Sequence, residues 1–235
     1  MSNLNEAPVN PLPAVVWALA LPMIALEVVL NAGASGIVGG PGAIGWRVQA
    51  MQDFAFAPDY LRQMLNLQQY PMDGLYRPFT YPFVHQDVTQ AMFVIVILLA
   101  LGKFVGEAFQ WWAVLLVFFA SSAVAAVAYT AIPVTHGPLI GGYPAVYGLI
   151  GAFTYVNWML QAGQGAQRLR AFRLIGFLMG IRIVFGAISL IFYGVEQGAS
   201  WDWTAEFAGF VTGFGLSFLV SPGGWRRVLG RIRQR

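Results

Sequence analysis

The sequence predicts an all-α membrane protein, a bundle of six transmembrane helices with a long outer loop between the first and the second. Three observations predict it. Of the 235 residues 58% are apolar and 10% charged, whereas a soluble domain carries about 25% charged residues to cover its water-facing surface. The apolar residues gather into runs of about 20, the length that crosses a hydrocarbon core of about 30 Å at 1.5 Å per residue. The arginines fall between and after those runs in a pattern that marks one side of a membrane.

The six runs cover 12–31, 84–106, 111–132, 144–161, 172–193 and 203–220. They divide the chain into an N-terminal segment (1–11), a membrane domain (12–220) and a basic tail (221–235). The first run is read as an uncleaved span. No Lys or Arg precedes it, and at about 20 residues it exceeds the apolar region of a signal peptide. Arg168, Arg170 and Arg173 lie between spans four and five, and Arg226, Arg227, Arg231, Arg233 and Arg235 follow span six. The loop before span four has no Lys or Arg, and the one before span six has only Glu196 and Asp202. The positive-inside rule then puts both termini in the cytoplasm, as six spans require, in a bacterial-type inner membrane.

The outer loop, 33–78, opens with GASGIVGGPGAIG and continues WRVQAMQDFAFAPDYLRQML. Trp46, Val48, Met51, Phe54, Phe56, Leu61, Met64 and Leu65 alternate with polar residues at roughly helical spacing, which suits a segment lying in the membrane interface.

Several functions are excluded or disfavoured by composition. The chain has no cysteine and only two histidines, His85 and His136, so neither a thiolate site nor a multi-histidine metal centre is expected, and no cofactor is implied. The net charge of +3 comes from arginines that border apolar spans, which points to topology and membrane lipid rather than nucleic acid.

Three ionisable residues lie within spans: Glu27 in the first, Arg182 in the fifth and Glu206 in the sixth. Such groups are costly in a bilayer and normally face the bundle interior with a partner. Arg182 stays charged and needs an acceptor, for which Glu206 and Glu27 are the available carboxylates. Lys103 and Glu107 stand at ion-pair spacing at the inner end of span two. Ala205, Gly209 and Gly213 recur at every fourth position, a stripe that lets another helix approach closely.

Three segments together resemble the rhomboid family of intramembrane serine proteases. PLIGGYPAVYGLIGA (138–152) is similar to the family's P-x-x-G-A-S-G-A-x-x-G-L-x-G-A, AEFAG (205–209) to its A-H-x-x-G, and YRPFTYPFVH (76–85) to the arginine- and aromatic-rich stretch that opens its second helix. The resemblance implies a serine nucleophile at the head of helix four and a histidine base on helix six. Those positions hold Tyr143 and Glu206. The glycine after the serine is Pro144, and the family's oxyanion donors on helix two correspond to Gln90 and Val94. A hydroxyl without an adjacent base is a weak nucleophile, so no catalytic residue is expected intact.

His85, whose family counterpart supports the structure, is kept, as are Gly141, Gly148, Gly151 and Gly209, where close helix packing needs them. With the dyad positions facing one another, a hydrogen bond between Tyr143 and Glu206 is expected. The resemblance therefore implies a rhomboid-like pseudoprotease that binds or chaperones transmembrane helices of other membrane proteins without cleaving them. The alternative is a divergent but active rhomboid-type serine endopeptidase.

Overall fold

The structure is a computed structural model that describes residues 11–162, 165–198 and 201–222; the N-terminal segment and the basic tail lie outside the described residues. Nine α-helices are present among them: α1 (Ala14–Ala34), α2 (Trp46–Phe54), α3 (Pro58–Leu67), α4 (Met72–Thr80), α5 (Val88–Ala108), α6 (Trp111–Thr130), α7 (Tyr143–Leu160), α8 (Arg173–Gly198) and α9 (Asp202–Val220). Short 3-10 turns at Gly40–Gly45, Tyr81–Phe83 and Gly165–Phe172 complete the order.

Five helices, α1, α5, α6, α8 and α9, are long and apolar enough to cross a membrane. The chain is thus a multi-pass helical membrane protein. The sixth expected span is the helix α7. Its 18 residues would rise about 27 Å, but it is less apolar because it is enclosed by protein: Pro144 through Ala152 are all buried. A helix wrapped by its neighbours has little contact with lipid, so Tyr147, Thr154 and Asn157 can replace leucines.

Helix starts follow local chemistry. The sequence placed span two from residue 84, but α5 begins at Val88. Asp87 is extended there and its carboxylate accepts the Gln90 backbone N–H at 2.8 Å, capping the helix. His85 therefore precedes the helix. Pro144 sits in the first turn of α7, where a missing N–H costs nothing.

The outer segment is mostly helical rather than an irregular loop. The WRVQAMQDFAFAPDYLRQML stretch is two helices, α2 and α3, broken at Ala55–Ala57, where the Phe56 backbone pairs with Leu139 ahead of α7. Arg77 fixes the break by donating to the carbonyls of Gln52 (2.9 Å) and Ala55 (2.8 Å). Phe56 and Met64 point into the protein, while Val48, Phe54 and Leu65 are exposed. Arg62 on α3 reaches the end of α6 and donates to the carbonyls of Thr130, Ile132 and Thr135, orphan acceptors that a helix end must satisfy.

The core is formed by α1, α5, α6, α7 and α9 around Met23, Leu98, Val117, Phe118, Leu149 and Ile150. The crossing of α9 over α7 is the tightest contact. A Cβ on Gly209 would strike the Pro144 carbonyl, and one on Gly213 the Gly148 carbonyl. No residue larger than glycine fits at that separation. Helix α8 stands apart. Its substantial contacts among the described residues are with α7 and the turn at Gly165–Phe172, and Ile183, Val184, Phe185, Ile191 and Phe192 are exposed.

Candidate functional site

A cavity of about 490 Å³ opens where the heads of α5, α7 and α9 meet the flank of α8. The residues that surround it include Tyr81, Gln90, Tyr143, Tyr147, Arg182 and Glu206. Tyr143 and Tyr147 are one turn apart on α7 and so share a face. Glu206 lies one turn into α9, beside the glycine crossing, and is 2% exposed. No serine, threonine or histidine is among the residues around the cavity.

Arg182 enters this cavity from α8 and pairs with Glu206 in a two-pronged contact. Its Nε donates to Oε2 at 3.0 Å and its Nη2 to Oε1, the fork geometry that suits guanidinium and carboxylate. The guanidinium also lies 5.8 Å from the centre of the Tyr143 ring, within cation–π range. The Tyr147 hydroxyl reaches toward both charged groups. The structure corrects one expectation here: the Glu206 carboxylate is taken by Arg182, not by the Tyr143 phenol. An ion pair with two donors outcompetes a single neutral hydroxyl for a desolvated carboxylate.

The two residues expected from the sequence to stand at the family's oxyanion positions, Gln90 and Val94, have other contacts. The Gln90 amide donates to the Ile140 carbonyl at 3.2 Å, and its oxygen accepts the Gln86 N–H at 2.8 Å. Gly141 beside it holds φ +94°, and a Cβ there would meet the Gln90 amide at 2.9 Å, so this turn depends on glycine. Val94 is fully buried against Gly142 and has no polar atom to offer.

The other serines and histidines are placed elsewhere. Ser122 donates to the Pro78 carbonyl and accepts on its own carbonyl the Tyr81 hydroxyl, tying α6 to the segment before α5. Burial pushes the Tyr81 phenol upward. Ser121 is packed where a Gly148 Cβ would lie. His136 is exposed and pairs with Asp59 at 3.0 Å. The His136 and Arg62 contacts hold the Asp59 carboxyl below its ordinary value. His85 is 1% exposed and neither ring nitrogen has a partner among the described residues; burial pushes its pKa down to about 4. No three His, Cys, Asp or Glu side chains come together as a metal site would need among the described residues.

Glu27 has a partner that the sequence did not suggest. Arg47, from α2, pairs with it at 2.5 Å and donates to the His85 carbonyl at 3.0 Å, while Asn31 donates to the same carboxylate at 2.7 Å. Arg47 was hidden because its span partner lies 20 residues away across a glycine-rich turn. Counting buried carboxylates against cations in adjoining segments would have found it. Tyr147 was missed as well, and its place one helical turn after Tyr143 is the signal that would have found it.

Fold and site define a polytopic helical membrane protein with a polar cavity at the heads of its central helices. The rhomboid domain matches residues 73–223, more than half of the chain. The chain belongs to the rhomboid family. None of the curated proteins compared with it matches.

Proposed function

We propose that this chain is a rhomboid pseudoprotease: an intramembrane protein that binds or chaperones other membrane proteins without cutting peptide bonds. The observation that carries the reading is the occupation of the dyad. The base position holds a carboxylate committed to Arg182, and the nucleophile position holds a tyrosine followed by proline. Peptide hydrolysis by this fold needs a hydroxyl activated by an adjacent base and donors aimed at the oxyanion. Tyr143 has no histidine beside it, Pro144 supplies no N–H, and Val94 replaces a donor. The clients are transmembrane helices, reached through the bilayer. In this reading α7 crosses the membrane as a sixth span, the cavity faces the outer side of a bacterial-type inner membrane, and both termini are cytoplasmic, as arginine placement requires.

The test is fluorophosphonate labelling of the full chain in lipid nanodiscs beside a reporter-cleavage assay. The expected result is no adduct and no cleavage, with membrane proteins recovered by in-membrane crosslinking. A stoichiometric adduct on one residue, lost with cleavage when that residue is replaced, would overturn the proposal.

A further inference from the structure

Arg182 is the unusual feature of the cavity, because it belongs to the helix least attached to the rest of the protein. Its guanidinium is held by a carboxylate that is 2% exposed, by the face of Tyr143 and beside the Tyr147 hydroxyl. These are the elements of a receptor for a planar cation: a bidentate acceptor and an aromatic wall. The elements belong to α7 and α9, which the glycine crossing locks together. The cation belongs to α8, whose first turns pack Ile175, Leu178 and Met179 against the core but whose residues beyond Arg182 are largely exposed.

The route to this receptor is also visible. A second, apolar cleft of about 670 Å³ lies between α8 and α9, bordered by Met179, Phe185, Leu190, Trp203 and Phe207. Arg182 borders both this cleft and the polar cavity. Gly176, Gly180 and Gly186 on α8 meet no protein atom within 4 Å of where a Cβ would be, so no packing at these glycines holds α8 in place. An apolar helix lying in the cleft would bring its own side chains to Glu206 at the place where Arg182 now sits.

We propose that the former catalytic cavity is a guanidinium receptor, that Arg182 is its resident occupant, and that a partner transmembrane helix bearing an arginine near its outer end exchanges with Arg182 at Glu206. The inference rests on the scaffold reading above and specifies which clients the scaffold takes. Charge complementarity selects the occupant. Glu206 left without Arg182 is a buried carboxylate that either takes up a proton or accepts a new cation, and the fork of an arginine matches both of its oxygens where an ammonium meets only one. Exchange replaces one guanidinium–carboxylate pair by another, and the displaced Arg182, whose side chain is already 38% exposed, turns its guanidinium toward the interface along its apolar stem. A helix without an arginine gains nothing at Glu206, which keeps Arg182 or takes up a proton, and that difference supplies the specificity.

The experiment uses the full chain in nanodiscs and dodecylguanidinium as probe. Arg182→Ala is expected to bind the probe about tenfold tighter than the wild type, because the resident competitor is gone. Arg182→Ala with Glu206→Gln should lose that gain, and dodecylammonium should bind the single variant more weakly than dodecylguanidinium. Equal binding by wild type and Arg182→Ala, or retention of the gain without the Glu206 carboxylate, overturns the receptor; equal binding of the two probes overturns the guanidinium assignment.

Should Arg182→Ala not fold, the wild-type background serves instead. The chain has no native cysteine, so spin labels on Gly186→Cys and Trp203→Cys report the α8–α9 separation directly. Widening on addition of the probe supports exchange, and an unchanged distance overturns it. Probe binding with no client crosslinked would sink the scaffold reading but keep the receptor. Clients crosslinked regardless of an outer arginine, with no probe effect, would do the reverse.

Discussion

Among the described residues, two guanidinium–carboxylate pairs lie within the apolar part of this protein, and they do different work. Glu27 and Arg47 join α1 to α2, where Asn31 also donates to the carboxylate and the His85 carbonyl also accepts from Arg47. Buried Leu30, Ala50 and Val84 pack around them. Arg182 and Glu206 join α8 to α9 with a far barer surround: 6% of the apolar stretch leading through α8 is buried, against 39% for α9. The same chemistry is a redundant staple in one place and the main polar tie in the other. The lesson is that the consequence of an ion pair in a membrane is set by what else holds its two helices.

The comparison presumes a rigid α9 and a loosely held α8, and the largest expected effect tests that. Gly213→Val should abolish the folded protein, since its side chain would overlap the α7 backbone. Gly186→Val on α8 should leave thermal stability unchanged, because its Cβ meets open space. Equal effects at the two glycines, read by thermal melting in detergent, would break the contrast.

Next in size are the two arginines. Arg47→Ala leaves Glu27 buried without its cation and is expected to cost about 3 kcal/mol of unfolding free energy. Arg182→Ala should cost less globally and instead raise amide hydrogen exchange along α8 while α1 and α9 stay protected. A uniform rise across all helices would show that α8 is as integral as the rest.

His85 sharpens the picture of the α1–α2 side through pH. In the folded protein it protonates only near pH 4, whereas the unfolded chain takes the proton near 6.5. The unfolded state therefore binds more protons between those values. Stability is full above 6.5 and falls as pH drops toward 4, by about 3 kcal/mol at most. His85→Gln should flatten that stretch of the stability–pH curve, and a wild-type curve already flat there would remove the cause.

The smallest effect is expected at Asp59, an exposed carboxylate with Arg62 and His136. Its depressed pKa contributes stability present above 3.8 and lost as pH falls through lower values. Exposed pairs contribute little, so Asp59→Asn should melt at nearly the wild-type temperature at pH 7 and differ only in losing that acid-side decline.

Much of the fold was legible because bilayer helices announce themselves by length and apolarity. Spans one, three, five and six match α1, α6, α8 and α9 to within a few residues at most of their ends; of the expected stripe, Gly209 and Gly213 lie where α9 crosses α7, while Ala205 packs with Ala125, Ala126 and Tyr129 of α6. The start of α5 was misread because apolarity continues through Val84 while the capping carboxylate of Asp87 sets the boundary. The site was legible as a set of positions, since motif spacing puts Tyr143 and Glu206 at one cavity. The Arg182–Glu206 pair was legible as one of two choices, since an intramembrane arginine needs a carboxylate, but that it displaces the expected Tyr143 contact depends on the approach of a third helix. The helical character of the outer segment was legible in the spacing of its apolar residues, but its break at Ala55–Ala57 and the Arg47 and Arg62 contacts depend on distant carbonyls and carboxylates that no local pattern encodes.

The enclosure of α7 has a consequence for how the protein is made. A segment carrying Tyr143, Pro144, Tyr147, Thr154 and Asn157 is poorly recognised by an insertion machinery that sorts each helix by its own apolarity. In the six-span reading proposed above, the strongly apolar α6 before it and α8 after it carry it into the membrane between them. Biogenesis of the central helix then waits on its successors. A nascent chain halted after residue 162 should leave α7 accessible to a water-soluble label, and one extended past α9 should protect it.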